Sequence, residues 1–334
     1  MQDADLFVGL DVGGTKTAVL VVNAAGYVQS QAVVPTRTAH PDALLDTINR
    51  AIQVALTAAK ATPARIRSIG LGIPGQVNPA TGIVKMAVNL NLQSYSLGAA
   101  ISNQFNVPAL IENDARTATV GAFNYLRQTE PIQSMAYLSV GTGLSAGVIL
   151  NGHLYRGHNG MAGEIGHMPI LQDGEICKCG LHGCLETIVS GPAIVRQMAA
   201  TLPSAQTSFQ NAGNVYEEAA QGNTAAQAVI QYVSQHLSRA IQWLILTYDV
   251  EKIVLGGGVT RSGAKFLAPI LQELTILRQQ STLAAEMLQA EKLYLVSHKH
   301  NPGEWGAVHL AAQAVSEELT IFPENDKGRS TVKI

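Results

Sequence analysis

Three cysteines and a histidine form the densest group of reactive side chains in the sequence. Cys177, Cys179 and Cys184 are the only cysteines of the chain, and His167 precedes the first of them by ten residues. Three thiolates and one imidazole make a tetrahedral ligand set for Zn²⁺, and four protein ligands leave no open position for water. The spacing therefore predicts a structural zinc site that locks the chain between residues 167 and 184.

Two alternatives for this cluster remain open at the level of the sequence. His182 lies inside the cysteine turn and is a second candidate for the fourth ligand. However, one short loop is poorly suited to supply all four ligands of a tetrahedral site. The thiols could also be free and buried. Close clustering of an odd number of cysteines favours a metal over a disulfide, and it fits a reducing compartment.

A glycine turn near the start of the chain is suited to binding phosphate. Asp11 precedes Gly13-Gly14-Thr15-Lys16, and an apolar run lies on each side. Glycines let backbone N–H groups approach an anion closely, and the lysine and threonine add charge and hydrogen bonds. The spacings of a P-loop and of a dinucleotide-binding turn are absent, because a strand rather than a helix follows. We predict a phosphate-binding hairpin in which Asp11 holds Mg²⁺ directly or through water; an ordinary Asp-Gly turn is the alternative.

The same strand–glycine–strand pattern returns 128 residues later. Gly141-Thr142-Gly143 lies between the apolar runs 135–140 and 145–150. A unit that occurs twice indicates two structurally related halves, and two such turns could hold a polyphosphate. A third glycine run, at residues 256–258, follows a buried strand. Because glycines have no side chains, the adenine ring of a nucleotide could lie directly against the backbone here, although glycine runs are usually turns.

The segment Glu112-Asn113-Asp114-Ala115 follows a short predicted strand and supplies an acid–base candidate. Polar side chains at the carboxyl end of a strand are placed where ligands bind open α/β sheets. Asp114 could accept the proton of an attacking hydroxyl, and Asn113 could orient that hydroxyl. Asn113 could equally cap the following helix, and the two roles are compatible.

Two carboxylates lie close to the cysteine cluster in sequence. Glu164 belongs to the glycine-spaced segment that ends at His167, and Glu186 follows the last cysteine by two residues. Carboxylates and an imidazole are good partners for a polyhydroxy ligand. The alternative is ordinary solvated loop charge, which is the more common state of a single glutamate.

The elements that must position these residues are those of an α/β protein. The 334-residue chain is longer than one hydrophobic core usually serves, so two domains are expected. Hydrophobic residues make up 47% and charged residues 14% of the chain, which is typical of a well-buried globular protein. The apolar periodicity predicts helices at 41–59, 97–105, 115–123, 188–202, 223–248 and 302–315, and strands at 6–11, 18–22, 27–34, 66–73, 109–112, 135–140, 145–150, 252–255 and 292–296.

Charge and hydropathy argue against two classes of partner. The net charge is −2 and no basic stripe is present, so we expect no binding to nucleic acid. No apolar run reaches the roughly 18 residues that a membrane helix needs, and the first residues lack the pattern of a signal peptide. We therefore expect no membrane association and a cytoplasmic location.

Taken together, these segments resemble the ROK family (repressors, open reading frames and kinases), a branch of the hexokinase/actin-like superfamily. The matching segments run in family order over nearly the whole chain. They are Asp11-Val12-Gly13-Gly14-Thr15-Lys16, Gly72-Ile73-Pro74-Gly75, Glu112-Asn113-Asp114-Ala115, Gly141-Thr142-Gly143, Gly163-Glu164-Ile165-Gly166-His167, the Cys177–Glu186 segment and the glycines at 256–258. The stretch from Glu164 to Glu186 is the most specific, whereas the single glycine turns are not specific.

The resemblance implies an α/β fold of two actin-like (ribonuclease H-like) domains around a central cleft, with the zinc-stapled loop in the second domain. The expected first domain covers residues 1–117 and 303–320, the second covers 118–302, and a tail covers 321–334. The segment 298–306 departs from the small, glycine-rich turn that usually precedes the family's last helix.

The resemblance also assigns expected roles to individual residues. Asp114 is expected to be the general base. The expected sugar contacts are Asn89, Asn113, Asp114, Glu164, His167 and Glu186, with Asn91 a close alternative to Asn89. His167 is expected both to bind zinc and to touch the sugar. The expected ATP contacts are Asp11, Gly13, Gly14, Thr15, Lys16, Gly141, Thr142, Gly143 and Gly257.

The implied activity is ATP-dependent phosphorylation of a hexose or N-acetylhexosamine, with Mg²⁺ as cofactor, structural Zn²⁺ and a homodimeric assembly. Glucose is the default acceptor, with mannose, fructose, allose, N-acetylglucosamine and N-acetylmannosamine open, and polyphosphate is an alternative donor. Three rival functions are a sugar-sensing regulator, a non-catalytic sugar-binding protein and an actin-like ATPase. Only five residues precede Leu6, too few for the DNA-binding helices expected of a regulator, and the zinc–glutamate segment argues against the ATPase.

Overall fold

The computed structural model describes residues 5–201, 209–296, 300–317 and 319, and these residues form two compact units. The first unit contains residues 5–131, 156–161 and the described residues from 300 onward. The second contains residues 132–155, 162–201 and 209–296. The domain boundaries expected from the sequence stay a prediction, and the expected tail 321–334 lies outside the described residues.

The first unit is built on a five-stranded sheet with helices. Its elements, up to residue 131, are β1 (Leu6–Val12), β2 (Lys16–Asn23), β3 (Val28–Pro35), α1 (Pro41–Ala58), β4 (Ile66–Ile73), β5 (Gln76–Asn78), β6 (Ile83–Ala87), β7 (Leu92–Tyr95), α2 (Leu97–Phe105), β8 (Ala109–Asn113) and α3 (Asp114–Leu126). The strand order is β3-β2-β1-β4-β8, in which β1, β2 and β3 pair antiparallel while β4 and β8 run parallel to β1. Strands β5, β6 and β7 form a separate small sheet. Every residue of β1 except Asp11 is buried, as expected for a strand covered on both faces.

The second unit repeats this plan. Its elements are β9 (Met135–Val140), β10 (Leu144–Leu150), β11 (His153–Tyr155), α4 (Glu186–Val189), α5 (Gly191–Ala200), α6 (Ala212–Ala220), α7 (Thr224–Tyr248), β12 (Lys252–Gly256), α8 (Ala264–Gln280), α9 (Thr282–Met287) and β13 (Leu293–Leu295). The strand order is β11-β10-β9-β12-β13, again three antiparallel strands followed by two parallel strands. The matching order confirms the two related α/β halves that the repeated glycine turn predicted.

The last helix, α10 (Pro302–Ala314), belongs to the first unit and packs against β1, β4 and α3. Asn301 caps this helix by accepting a hydrogen bond from Gly303 N–H at 3.2 Å, and Pro302 occupies its first turn. Glycine is required where the backbones meet: a Cβ at Gly70 would lie 1.9 Å from Ala307 O, and one at Gly306 would lie 1.8 Å from Thr117 O. These close approaches pack the second turn of α10 directly against the middle of β4 and against α3.

Most predicted strands and helices are present with small shifts of their ends, but some features differ. The small β5–β7 sheet, the short strand β11 and the helices α6, α8 and α9 were not predicted. The predicted helix 188–202 is divided into α4 and α5, because Ser190 is extended and caps α5, while residue 202 lies outside the described residues. No helix in the described ranges combines the length and apolar character needed to cross a membrane.

Candidate active site

The first glycine turn joins β1 to β2 as a hairpin, as predicted. Gly13 N–H donates to Lys16 O at 2.9 Å, which closes the turn, and Gly14, Thr15 and Lys16 are exposed at its tip. The antiparallel register continues directly from this turn, with Val12 opposite Thr17. The backbone N–H groups and the ammonium group at the tip are thus available to an anionic ligand.

Asn89 lies beside this hairpin. A Cβ built on Gly14 would be 3.8 Å from Asn89 Cβ, so the two residues are in van der Waals contact range. Asn91, the alternative left open by the sequence, adopts a left-handed conformation with φ of 54°. Its amide donates to Ala39 O at 3.0 Å. Asn91 therefore has a structural contact of its own, and Asn89 is the asparagine adjacent to the glycine turn.

The sheet register brings the first hairpin and the acid–base segment to the same edge of the sheet, the edge formed by the carboxyl ends of its parallel strands. Asp11 on β1 is paired with Gly72 on β4, which is paired with Glu112 on β8. These strands are parallel, so their carboxyl ends share an edge, where ligands bind open α/β sheets. Asp114 follows β8 at this edge as the first residue of α3.

Asn113 caps α3, as the sequence allowed. Its Oδ1 accepts hydrogen bonds from Ala115 N–H at 3.1 Å and Arg116 N–H at 3.2 Å. Its amide nitrogen donates to Gly75 O at 3.1 Å, which ties the turn after β4 to the start of α3. The Asn113 side chain is therefore held rigidly next to Asp114, whose own Oδ1 accepts a 2.8 Å hydrogen bond from Ala115 N–H.

Negative charge accumulates at this edge of the first unit. Burial raises the pKa of Asp114, against the opposing effects of the Ala115 N–H and the Arg116 guanidinium. Burial, helped by Asp114 and Glu304, raises the pKa of Asp11 to about 7, while Lys16 opposes the shift. Burial also raises the pKa of Glu304. These carboxyl groups repel one another, so a cation or a proton at this edge is favourable.

Glu304 was not identified from the sequence. It lies in the first turn of α10 and accepts a 2.8 Å hydrogen bond from the amide of Asn301. A Cβ on the neighbouring Gly303 would lie 2.6 Å from Asp11 Oδ2, so this glycine lets the helix start close against the Asp11 carboxylate. An acidic residue in the first turn of a helix after Asn-Pro is a capping signal, and nothing in the sequence links it to β1.

In the second unit, the glycine turn at residues 141–143 joins β9 to β10. Gly141 N–H donates to Gly143 O at 2.9 Å, and Thr142 at the tip is exposed. The turn is held from two sides: Gly141 O accepts a 2.8 Å hydrogen bond from Gly191 N–H at the start of α5, and Leu144 N–H donates to Glu186. The second predicted hairpin is therefore a rigid turn supported by the helices that follow the cysteine cluster.

The three glycines at the end of β12, Gly256 to Gly258, have different surroundings. A Cβ on Gly256 would lie 2.0 Å from the Tyr137 hydroxyl, and one on Gly257, with φ of 96°, would lie 2.4 Å from Val140 O. At Gly258 a Cβ would meet nothing within 4 Å. Close packing against β9 thus accounts for the first two glycines, and the contact of Gly257 with a nucleotide stays a prediction.

The segment from Gly163 to His167 lies along the start of β10. Ala146 N–H donates to Gly163 O at 2.7 Å, and a Cβ on Gly166 would lie 2.0 Å from Leu144 O. The segment closes in a short 3₁₀ turn, Ile165–His167, in which His167 N–H donates to Glu164 O at 3.1 Å. The glycine spacing noted in the sequence is therefore what allows this loop to pack directly on the strand.

The four predicted metal ligands come together in the second unit. The ligand atoms of His167, Cys177, Cys179 and Cys184 all lie within 4.8 Å of one another. His167 Nδ1 is 3.4 Å from Cys177 Sγ, and the sulfur atoms of Cys179 and Cys184 are 3.6 Å apart. Zinc–sulfur bonds of ~2.3 Å in a tetrahedron require about 3.8 Å between sulfurs, so the spacing fits Zn²⁺. Burial raises the pKa of the Cys184 thiol to about 12, so its thiolate needs a compensating cation.

His182, the alternative fourth ligand, has a different contact. Its Nδ1 lies 3.0 Å from Gly174 O, and the residue is outside the group of four. His167 is the histidine that completes the cluster.

A model of the ROK family matches residues 7–314 of the chain. The chain is 31% identical over 278 residues to a glucokinase of Halalkalibacterium halodurans, covering 80% of this chain and 84% of that protein. It is 30% identical over 252 residues to an N-acetylmannosamine kinase of Vibrio cholerae, covering 75% and 83% of the two chains. The crystal structure of a ROK family glucokinase from Streptomyces griseus in complex with glucose and AMPPNP superposes with a TM-score of 0.75 at 26% identity, covering 92% and 99%. With its actin-like α/β fold and a family match over nearly its whole length, this chain belongs to the ROK family.

Proposed function

We propose that this protein transfers the γ-phosphoryl group of ATP to a hydroxyl group of a hexose or an N-acetylhexosamine. The observation that carries the proposal is the placement of Asp114 at the same sheet edge as the first glycine hairpin, close enough to Asp11 to raise its pKa. A base for the acceptor hydroxyl and a group for the donor phosphates are thereby next to each other. The kinases of glucose and N-acetylmannosamine among its relatives support the substrate class.

In this proposal Asp114 is the general base. Burial raises the pKa of its carboxyl group, which makes the carboxylate a stronger proton acceptor than an exposed aspartate. It would accept the proton of the sugar hydroxyl as the oxygen attacks the γ-phosphorus and the bond to the β-phosphate oxygen breaks. Asn113, fixed by three hydrogen bonds, would hold the sugar beside it.

The phosphate groups would be held by both glycine hairpins. Gly14 and Thr15 at the exposed tip of the first turn would offer backbone N–H groups, Gly13 would let the phosphates lie close to the backbone, and Lys16 would offer an ammonium group. The second turn, Gly141-Thr142-Gly143, offers the same kind of backbone surface, and Gly257 would contact the nucleotide. Such fixed donors stabilise the charge that develops on the transferred phosphoryl group.

The remaining sugar contacts would come from Asn89, Glu164, His167 and Glu186. His167 would use its two ring nitrogens separately, because Nδ1 faces the Cys177 sulfur and Nε2 is left for the sugar. Carboxylates accept hydrogen bonds from sugar hydroxyls, which suits Glu164 and Glu186.

Two ions fit the residues that are present. Asp11 would hold Mg²⁺, which when bound would neutralise phosphate charge. Burial, together with the neighbouring carboxylates Asp114 and Glu304, raises the pKa of Asp11, and a bound cation would offset both effects. His167, Cys177, Cys179 and Cys184 would hold Zn²⁺ in a structural site with four protein ligands. The zinc would fix the loop that carries His167 and Glu186.

A coupled ADP-release assay across six sugars tests the function. The panel is glucose, mannose, fructose, allose, N-acetylglucosamine and N-acetylmannosamine, each with Mg·ATP. A parallel series with polyphosphate is followed by the sugar phosphate formed, because this donor releases no ADP. We expect ADP release that depends on at least one sugar. Sugar binding in calorimetry with no ADP release would contradict the proposal and favour a sensor, and ADP release without any sugar would favour an ATPase. The homodimer expected from the family resemblance is tested separately by light scattering.

A further inference from the structure

A fully buried carboxylate lies directly behind the proposed base. The side chain of Glu112, the fourth residue of β8, has no exposed surface. Its Oε1 accepts hydrogen bonds from Asn113 N–H at 2.8 Å and from Arg116 Nε at 2.8 Å. Its Oε2 accepts a 2.6 Å hydrogen bond from Arg156 Nε. Glu112 is thus the centre of a small charge network in the first unit.

The two arginines make different contributions to this network. Arg116 is on α3, one turn after Glu112, and its side chain is only 3% exposed. Arg156 follows β11 in sequence and belongs to residues 156–161, which are grouped with the first unit. Its guanidinium is the hydrogen-bond partner of Oε2 among the described residues. Removing it would leave a buried carboxylate oxygen without its charge-assisted hydrogen bond, which is a costly state.

Glu112 in turn fixes the backbone that leads to the proposed base. Asn113, which donates its N–H to Glu112 Oε1, is the last residue of β8, and Asp114 begins α3 immediately after it. The same Oε1 binds Arg116, which is two residues after Asp114. The Asp114 backbone is therefore bracketed by two groups that are both hydrogen-bonded to Glu112. A shift of this carboxylate would displace the strand–helix junction.

We infer that Arg156 is a positioning residue for phosphoryl transfer: it holds the Glu112 carboxylate, which sets Asn113 and Asp114 at the end of β8. This inference rests on the proposed function, because it assigns Arg156 to the geometry of the proposed base. Arg156 is absent from the residues that the sequence singled out, since only its position in the folded chain links it to β8. Its role does not require contact with the sugar or with ATP.

Steady-state kinetics of Arg156→Met and Arg156→Lys test the inference with Mg·ATP and the preferred sugar. The methionine keeps much of the side-chain volume but removes the charge, so kcat is expected to fall by about 10- to 100-fold, because small displacements of reacting groups are costly. KM for ATP should change by less than about twofold, since the glycine hairpins do not depend on Glu112. The lysine keeps the charge and should recover part of the lost kcat.

The matched control is Arg65→Met. Arg65 forms a bidentate ion pair with Asp5 in the same unit, at 2.8 and 3.0 Å, away from the sheet edge that carries Asp114. Its loss should lower the melting temperature without changing kcat per folded molecule. If Arg156→Met and Arg65→Met affect kcat equally, or if Arg156→Met raises KM for ATP as much as it lowers kcat, the positioning role is wrong.

The double variant Arg156→Met/Glu112→Gln adds an independent test. Because Arg156 is inferred to act through Glu112, the two effects on kcat should not be independent: once Glu112→Gln has removed the carboxylate, adding Arg156→Met should lower kcat less than it does in the wild-type background. A double variant no better than the product of the two single effects would overturn the inference. A wild-type protein that phosphorylates none of the sugars would instead overturn the proposed function, so the two failures are distinguishable.

Discussion

Oε2 of Glu186 accepts a 2.9 Å hydrogen bond from Leu144 N–H, and this contact joins two parts of the proposed site within the second unit. Leu144 is the residue immediately after the Gly141-Thr142-Gly143 turn, and Glu186 is two residues after the zinc-ligand candidate Cys184. A Cβ on Gly143 would lie 2.5 Å from the same carboxylate oxygen, so the turn and Glu186 are closely packed. One carboxylate therefore supports the phosphate turn while belonging to the proposed sugar site.

Replacement of Glu186 by alanine should weaken the binding of both substrates. The loss of the Leu144 contact should loosen the glycine turn, so KM for ATP is expected to rise by about tenfold together with KM for the sugar, since a lost charge-assisted hydrogen bond costs about 1.5–3 kcal/mol. Steady-state kinetics with each substrate varied in turn measures both values. Glu175→Ala is the control, because Glu175 pairs with Arg196 at the surface of the same loop region. A rise confined to the sugar KM would show that the Leu144 contact has no role in ATP binding.

Asp114→Asn should abolish turnover without unfolding the protein. An amide cannot accept the hydroxyl proton, so kcat is expected to fall by about 10³-fold or more. Because burial disfavours the charged form of Asp114, the neutral variant should be at least as stable as the wild type in thermal melting. Asp42→Asn changes an exposed aspartate in the first turn of α1 and serves as the matched control. Turnover within tenfold of wild type would remove Asp114 from the role of base.

The metal cluster predicts one zinc ion per chain. His167→Asn and Cys184→Ser should each lower bound zinc, measured by elemental analysis of the purified protein, and should lower the melting temperature because the loop loses its cross-link. His182→Asn is the control: its ring contacts Gly174 O rather than the cluster, so zinc content should be unchanged. Full zinc content in Cys184→Ser, or loss of zinc in His182→Asn, would contradict the ligand set.

The sequence predicted those parts of the site whose spacing is local. The cysteine cluster, the cap at Asn113 and the hairpin at Gly13 are each defined within a few residues, so residue type and spacing were sufficient. Glu304 and Arg156 were missed because their partners, Asp11 and Glu112, are distant in sequence. Their positions follow from how distant segments pack, which apolar periodicity does not encode.

The fold shows the same division between local and distant information. Most strands of the two main sheets are apolar runs and were predicted. The three-residue strand β11 and the small sheet that leads to Asn89, whose strands have three to five residues and exposed side chains, were not. Helix α8 was missed because Pro269 lies inside it, and proline usually marks an end. In both cases tertiary contacts outweigh the local signal.

The stability of the protein should depend on pH through His309, on α10. Burial, with smaller effects from His300 and Arg127, lowers the pKa of His309 to about 3, whereas an unfolded histidine has a pKa of about 6.5. Between these values the unfolded chain binds a proton that the native state excludes, so the free energy of unfolding falls as the pH is lowered through this window. The slope from this one residue is at most about 1.4 kcal/mol per pH unit.

His309→Leu removes this contribution. When the pH is lowered from 7 to 5, the free energy of unfolding should fall by up to about 2 kcal/mol more in the wild type than in the variant. Urea unfolding at each pH measures this difference. The comparison isolates His309 because Asp11, whose raised pKa of about 7 acts in the opposite direction, is present in both proteins. Its carboxyl group binds protons more tightly in the native state, so its contribution favours the fold at lower pH. Parallel pH profiles for the two proteins would mean that His309 is protonated, or reached by water, in the native state.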